Sequence, residues 1–357
     1  MVKKKLIIFQ PSITPYRLPI FNDLIKYLDL TILVDKKNNL QKKLNKNIKI
    51  KILKKFNFKY FFLYIDYFKN LKNADYVILQ SDIKNITLYY LILACKIKNI
   101  PCSLWGHALF KKNYENFFIR CMYKLIYKYY GLLIDKYICY NSLVKKSLSN
   151  INFDKKKIII LNNTLQKERN FEFSTKKKSS NILFIGRLRR RSNIHLLLKS
   201  IKYLEKEKIY LGINIIGNGV EYKNLKILGR KLDLKINFFG EIYNSKKIKT
   251  IAEKCFVGVY PGDCGLSIVD YFFYGLPVVV HSNHKMHMGP EPYYLKKNFN
   301  GLHFKRNDLL SLSKAIKKLY LNNKINFLLS KNSFNTFNKL NDEKLSKKIY
   351  KLINICK

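Results

Sequence analysis

The chain has 357 residues, 48% hydrophobic and 26% charged, which excludes a disordered chain or a small disulfide-stapled scaffold and leaves room for about two domains, each with its own core. Lys and Arg number 69 against 23 Asp and Glu, a formal +46 that suits nucleic acid, acidic lipid or a phosphorylated substrate, and that a coding bias toward Lys, Ile and Asn also produces. The longest apolar stretches, such as 86–95, are cut by Lys96 well short of the roughly 18 residues of a membrane span, and the seven cysteines contain no CxxC pair, which points to a reducing cytoplasm.

Residues 3–9, three lysines and then Leu-Ile-Ile-Phe, imitate a signal peptide, but the apolar part ends at Gln10-Pro11 and reads as a first buried strand. From there short apolar runs alternate with helical stretches, the pattern of parallel strands joined by crossover helices, so the class is α/β. Strands are expected at 5–10, 30–34, 76–79, 103–105, 136–140 and 158–161, with helices at 18–27, 87–98, 113–133 and 142–150. Residues 166–180 lack periodicity and are rich in charge and Ser, as an exposed linker would be. Strands resume at 181–185, 211–216, 236–239, 257–260 and 277–280, the last expected to close the core, and a basic amphipathic helix spans 342–355. The expected organisation is an N-terminal Rossmann-like domain (1–165), a linker (166–180), a second Rossmann-like domain (181–340) and a C-terminal helix (341–357) returning toward the first, the two domains facing across a cleft.

In doubly wound sheets ligands bind beyond the carboxyl ends of the strands, so the loops leaving strands carry the information. The first in the second half is Gly186-Arg187-Leu188-Arg189-Arg190-Arg191-Ser192-Asn193, ahead of a helix near Ile194. Clustered guanidinium groups beside helical N–H groups suit a diphosphate, whereas any single Arg here would read as a solvated basic turn. Gly217-Asn218-Gly219 follows the next strand and allows close backbone approach. Tyr260-Pro261-Gly262-Asp263-Cys264-Gly265-Leu266-Ser267 then leads into a helix with Asp270 one turn in, an acid that can accept from vicinal hydroxyls or simply favour the helix dipole.

The runs LFIGRLRRRSNIHLLLKSI, INIIGNGVEYKNL, INFFGEI and VYPGDCGLSIVDYFFYGLPVVV together resemble, in order and spacing, the donor domain of family 4 glycosyltransferases of the GT-B fold. In the first half TPYRLPIFNDL, SLWGHALF and ILNNTLQ resemble the acceptor domain, its histidine loop and the segment before the linker. The resemblance implies sugar transfer from a nucleotide diphosphate donor, with retention and no bound metal or other cofactor. It places Arg187 on the diphosphate with Arg190 or Arg191 supplying further charge, Gly186, Gly217 and Gly219 near the nucleotide, Glu241 beside the base, Asp270 on ribose and His107 toward the sugar. Gly265 and Leu266 line the donor loop, and Tyr16 and Arg17 belong to the acceptor side. Two positions depart from the family: its usual lysine falls on Ser192, and the first acid of its paired-acid motif falls on Gly262, with Asp263 one step later as the acid expected to face the sugar, a catalytic candidate with Arg187 and His107, and Glu291 available from the next loop.

His281, His284 and His287 are zinc-competent by type, but they lie in a loop after a strand and no Cys joins them, so no metal is expected. Segments 54–72 and 111–136 interleave Lys with Phe, Tyr and Leu, which reads either as core helices with solvated Lys faces or as a surface docking on acidic lipid. The expected enzyme is therefore a glycosyltransferase of lipopolysaccharide or polysaccharide assembly, peripheral on the inner face of the cytoplasmic membrane, with a glycan or lipid-linked acceptor. The alternatives are an inactive scaffold of the same fold or a basic nucleic-acid-binding protein, the latter without any recognisable motif.

Overall fold

The structure is a computed structural model that describes residues 2–355 except 68, 70, 72, 109–116, 168–171 and 174–178. The chain divides into two compact units, residues 1–166 with 343–357 and residues 167–342.

Unit 1 holds a parallel sheet of β1 (Lys5–Phe9), β2 (Asp29–Val34), β3 (Lys49–Ile52), β6 (Tyr76–Gln80), β7 (Cys102–Gly106), β8 (Lys136–Cys139) and β9 (Ile158–Ile160), ordered β3-β2-β1-β6-β7-β8-β9. A separate antiparallel hairpin is made by β4 (Lys54–Asn57) and β5 (Phe62–Ile65). The near-continuous apolar strands follow from burial on both faces. Along β1, Ile7 and Phe9 enter one core with Leu88, Leu91 and Tyr130, while Leu6 and Ile8 enter the other with Ile20, Phe21 and Leu24. The helices are α1 (Leu18–Leu24), α2 (Ile86–Ile97), α3 (Phe117–Leu133) and α4 (Ser142–Ser149), and the C-terminal helix Leu345–Ile355 packs Leu345, Ile349, Leu352 and Ile353 into the α1 side of the core. Its Ser346 Oγ donates to Asp23 Oδ2 at 2.6 Å. Burial alone would raise the Asp23 pKa, but bonds from Lys26 and Ser346 and the charge of Lys344 leave it lowered.

Unit 2 repeats the plan with β10 (Asn181–Ile185), β11 (Gly212–Ile216), β12 (Ile236–Phe238), β13 (Val257–Tyr260), β14 (Val278–His281) and β15 (Gly301–Phe304), ordered β12-β11-β10-β13-β14-β15 and parallel throughout. Its helices are α5 (Ile194–Glu205), α6 (Tyr222–Lys231), α7 (Ser245–Ala252), α8 (Ser267–Phe273), α9 (Leu309–Leu321) and α10 (Asn323–Leu340), which makes the C-terminal helix α11. In both sheets the strand order reverses beside the first strand, between β1 and β6 and between β10 and β13. These reversals are where such sheets open a crevice for ligands.

The structure adds four strands to the expectation. The 277–280 run does not end the sheet, because β15 pairs beyond it with Val278 opposite Gly301. β15 has only four residues and one is His303, so it shows no apolar run, and Gly301 fits because a Cβ there would lie 2.1 Å from the Val278 carbonyl oxygen. The edge strand β3, Lys-Ile-Lys-Ile, is largely exposed, and alternation with lysine leaves it without the apolar run that marks the inner strands. The basic aromatic segment from 54 is not helical but forms the β4–β5 hairpin. Of the 166–180 linker and the 111–136 segment, residues 168–171, 174–178 and 111–116 lie outside the described residues; Phe173 packs on Phe327 and Phe334.

Candidate active site

The loops leaving β10, β11, β12 and β13 interlock at the carboxyl edge of the unit 2 sheet. Gly186 N donates to Ile216 O, Leu188 N to Asn218 O at 2.9 Å, Gly217 N to Gly240 O at 2.7 Å, and Glu221 N to Leu188 O. The approach is close enough that a Cβ on Gly217, where φ is +131°, would lie 1.9 Å from the Gly186 carbonyl oxygen, and one on Gly219 would lie 2.3 Å from that of Leu188.

The four arginines of the first loop take different directions. Arg187 is exposed and its charge is felt at Tyr243. Burial and hydrogen-bonded Glu241 raise the Tyr243 pKa while Arg187 opposes them, which places Arg187 and Glu241 at one edge of the glycine loops. Arg190 is exposed on the turn Arg190–Ser192. Arg191 Nε reaches Asp263 Oδ2 at 3.2 Å. Arg189, which motif matching did not single out, turns inward: its Nη2 contacts Met288 Sδ, it bonds Tyr260, and its Nε is buried without an acceptor. The signal available in sequence was only its place in the arginine run. Ser192, at the family's lysine position, is fully buried and its Oγ donates to Arg187 O at 2.6 Å, so it shapes the loop while Arg189 supplies the inward charge.

The β13–α8 loop explains the missing acid. A Cβ on Gly262 would lie 2.0 Å from Arg191 O, and Asp263 N donates to that same oxygen, so a glutamate here would displace the arginine turn. Asp263, expected to face the sugar, is 2% exposed and turned inward, held by Arg191, by Arg306 Nη2 at 3.2 Å and by His281 Nε2 at 3.3 Å. Arg306 and His281 are partners that no motif indicated.

Segment 287–291 is stitched to the same loop. His287 Nδ1 accepts from Cys264 N, and Met288 N donates to Cys264 O at 2.8 Å. Glu291, 3% exposed, has its Oε2 3.9 Å from where a Gly265 Cβ would stand. Burial and the Glu291 charge push the Cys264 thiol up, which makes it an unreactive spacer rather than a nucleophile. Leu266 caps α8, and Asp270 in the first turn pairs with Lys167 Nζ at 2.5 Å, as Tyr274 does at 3.2 Å. Burial alone would lower the Lys167 pKa, but Asp270 and Tyr274 outweigh it and raise it.

His281 and His287 stack at 3.8 Å and 4°, with His284 and His303 beside them. Burial lowers all four, His281 and His303 to about 4 and His287 to about 2, the Asp263 charge only partly offsetting it at His281. Among the described residues no grouping of His, Cys, Asp and Glu is arranged to hold a metal. In unit 1, His107 at the end of β7 lies 4.7 Å from the Tyr140 ring, and Tyr16 and Arg17 follow β1.

Residues 166–336 match the family of glycosyl transferases group 1. The chain carries a group 1 glycosyltransferase domain. Solved structures similar over nearly its whole length include HepE of Anabaena in complex with UDP (12% identity, TM-score 0.71, 98% of this chain and 99% of that one), a glycosyltransferase from Rickettsia africae ESF-5 (16%, 0.72, 99% and 99%) and TarM of S. aureus with fondaparinux, α-GlcNAc-glycerol and UDP (12%, 0.66, 99% and 100%). Among curated proteins none matches. The likeness establishes the GT-B fold for this glycosyltransferase. No helix among its described residues is long and apolar enough to cross a membrane.

Proposed function

We propose that the enzyme transfers a sugar from a nucleotide diphosphate donor to a cell-surface or lipid-linked glycan, with retention and without a metal. The observation that carries this reading is the pair of loops, 186–192 and 261–266, on either side of the strand-order reversal in unit 2, one rich in guanidinium groups and the other carrying Gly262 and Gly265. Arg187 and Arg189 hold the diphosphate, with Arg190 adding charge from the rim and Arg191 acting through Asp263 to set the loop. Gly186, Gly217 and Gly219 pass under the nucleotide, Glu241 lies beside the base, and Asp270 exchanges its bond from Lys167 for the ribose hydroxyls. Gly265 and Leu266 border the sugar, and Glu291 supplies the carboxylate for which Gly262 has no room. His107 remains the imidazole for a sugar hydroxyl, and Tyr16 and Arg17 serve the acceptor.

In the transfer the bond from the anomeric carbon to the diphosphate oxygen breaks with its electron pair on the phosphate, the acceptor oxygen bonds to the same carbon, and the acceptor proton passes to the departing phosphate. Fixed guanidinium groups stabilise that developing charge without reorganisation, the role a metal plays elsewhere. Because structures of its relatives hold UDP, UDP-sugars are the first donors to test. Calorimetric binding of UDP, and transfer that persists in EDTA, support the reading; failure of every nucleoside diphosphate to bind favours the inactive scaffold.

The enzyme meets its acceptor at an acidic membrane surface through α3. Phe118 is 81% exposed, and Phe118, Met122, Leu125 and Leu132 share one helix face, with Lys124 and Lys128 along its flank. Rings and aliphatic chains at headgroup depth with lysines around them fit anionic lipid.

A further inference from the structure

Arg17, in unit 1, is a buried cation with no counter-charge among the described residues. It is 2% exposed, and its turn, Pro15–Arg17, follows β1 at the strand-order reversal of the unit 1 sheet. Its Nη2 donates to Asn163 Oδ1 at 3.3 Å, and its Cζ lies 4.1 Å from the Trp105 ring centroid and 5.4 Å from that of Tyr16. The Nε and Nη1 atoms have no acceptor, and among the described residues no carboxylate pairs with the group. Trp105 Nε1 and Thr14 Oγ1 are also buried without partners, and both can donate.

A guanidinium keeps its proton, and burying one unpaired costs more than aromatic faces return. The missing component is an acceptor of negative charge. We propose that Arg17 above Trp105 is an oxyanion site, binding a phosphoryl or carboxylate group of the acceptor substrate. This deepens the reading of Tyr16 and Arg17 as acceptor-side residues and rests on it. Because the donor atoms have almost no accessible surface, the covering side chains part to admit the anion, which then sits out of water where a two-pronged guanidinium contact is strongest.

Trp105 is the single tryptophan of the chain, so its emission reports on this site alone. The full chain is titrated with inorganic phosphate and with acetate at constant ionic strength set by KCl. A saturable change in emission is expected with at least one, weakened at least tenfold in Arg17→Met and less in Arg17→Lys, which keeps charge but loses the fork. Circular dichroism checks the fold, and Arg17→Lys carries the test should Arg17→Met not fold. No response to either anion, or the parental response in both variants, overturns the site. UDP added alone separates the sources: a UDP response that competes with phosphate assigns the oxyanion to the donor and overturns the acceptor assignment, whereas UDP binding that leaves Trp105 unmoved upholds it. If UDP does not bind at all while the phosphate response still depends on Arg17, the donor reading fails and the oxyanion site stands.

Discussion

Two buried charges, each 2% exposed, sit at the carboxyl edges of the two sheets and behave in opposite ways. Asp263 in unit 2 meets two guanidinium groups and an imidazole, so its charge is spent inside the protein, tying the β13–α8 loop to the arginine turn and to Arg306. Arg17 in unit 1 meets one amide oxygen and two aromatic rings. A compensated buried charge holds a scaffold; an uncompensated one is an invitation to a ligand. The same contrast separates the arginines of one short loop, since Arg191 is engaged by Asp263 while Arg187 stands exposed beside Glu241 and Tyr243.

The sharpest break would come from Arg187→Ala. Its bond strengthens as charge develops on the leaving phosphate, so turnover should fall by about 10²-fold or more while stability stays within about 0.5 kcal/mol. Steady-state kinetics and urea unfolding on the same preparation read both; an unfolding loss with parental turnover would make Arg187 structural.

Asp263→Ala should do the reverse. Removing one member of a buried ionic group costs about 3–5 kcal/mol, and the lower end applies because the Arg191 and Arg306 side chains are 66% and 31% exposed and can turn to water. Urea unfolding measures it, with Arg17→Met as the contrast that loses little, having no ionic partner to abandon. Equal losses in the two variants would erase the distinction between them.

Asp270→Asn tests a charge that is shared between scaffold and ligand. UDP binding should weaken by about 1–3 kcal/mol for a lost charged hydrogen bond. Lys167→Met should strengthen UDP binding if the ribose displaces that lysine, and calorimetry on both variants decides; weaker binding in Lys167→Met would assign Lys167 to the nucleotide.

The clustered imidazoles of His281, His287 and His303 give a pH signature. Their folded pKa values lie below the unfolded value near 6.5, so between roughly pH 6.5 and 4 the unfolded chain binds more protons and stability falls as pH falls, by up to about 1.4 kcal/mol per pH unit for each imidazole. Above that window all are neutral in both states and contribute no slope. Unfolding midpoints across this window should flatten in His303→Gln; an unchanged slope would place the acid sensitivity elsewhere.

The smallest effect is on membrane docking. Phe118→Ser with Leu125→Ser should lower pelleting with anionic vesicles several-fold and leave UDP binding unchanged, and parental binding should weaken with salt as screening shortens to about 8 Å. Pelleting indifferent to both would remove α3 from the docking surface.

Two doubly wound units and the order of the glycine and arginine loops are legible in the residues alone, because strands covered on both faces must be apolar runs and glycines are required where loops press together, as at Gly217. Short or exposed strands escaped it, since β15 is interrupted by His303 and β3 carries lysines at an edge. The partners of the two buried charges were beyond it altogether. Asp263 gathers groups 72, 43 and 18 residues away, and Arg17 meets Asn163 across 146, contacts that exist only once parallel pairing has brought loops from separate strands to one edge. Asp263 read as an acid facing the sugar because its residue type and place in the motif are local properties, whereas the direction of its carboxylate follows from Gly262 pressing on Arg191, which tertiary packing alone decides.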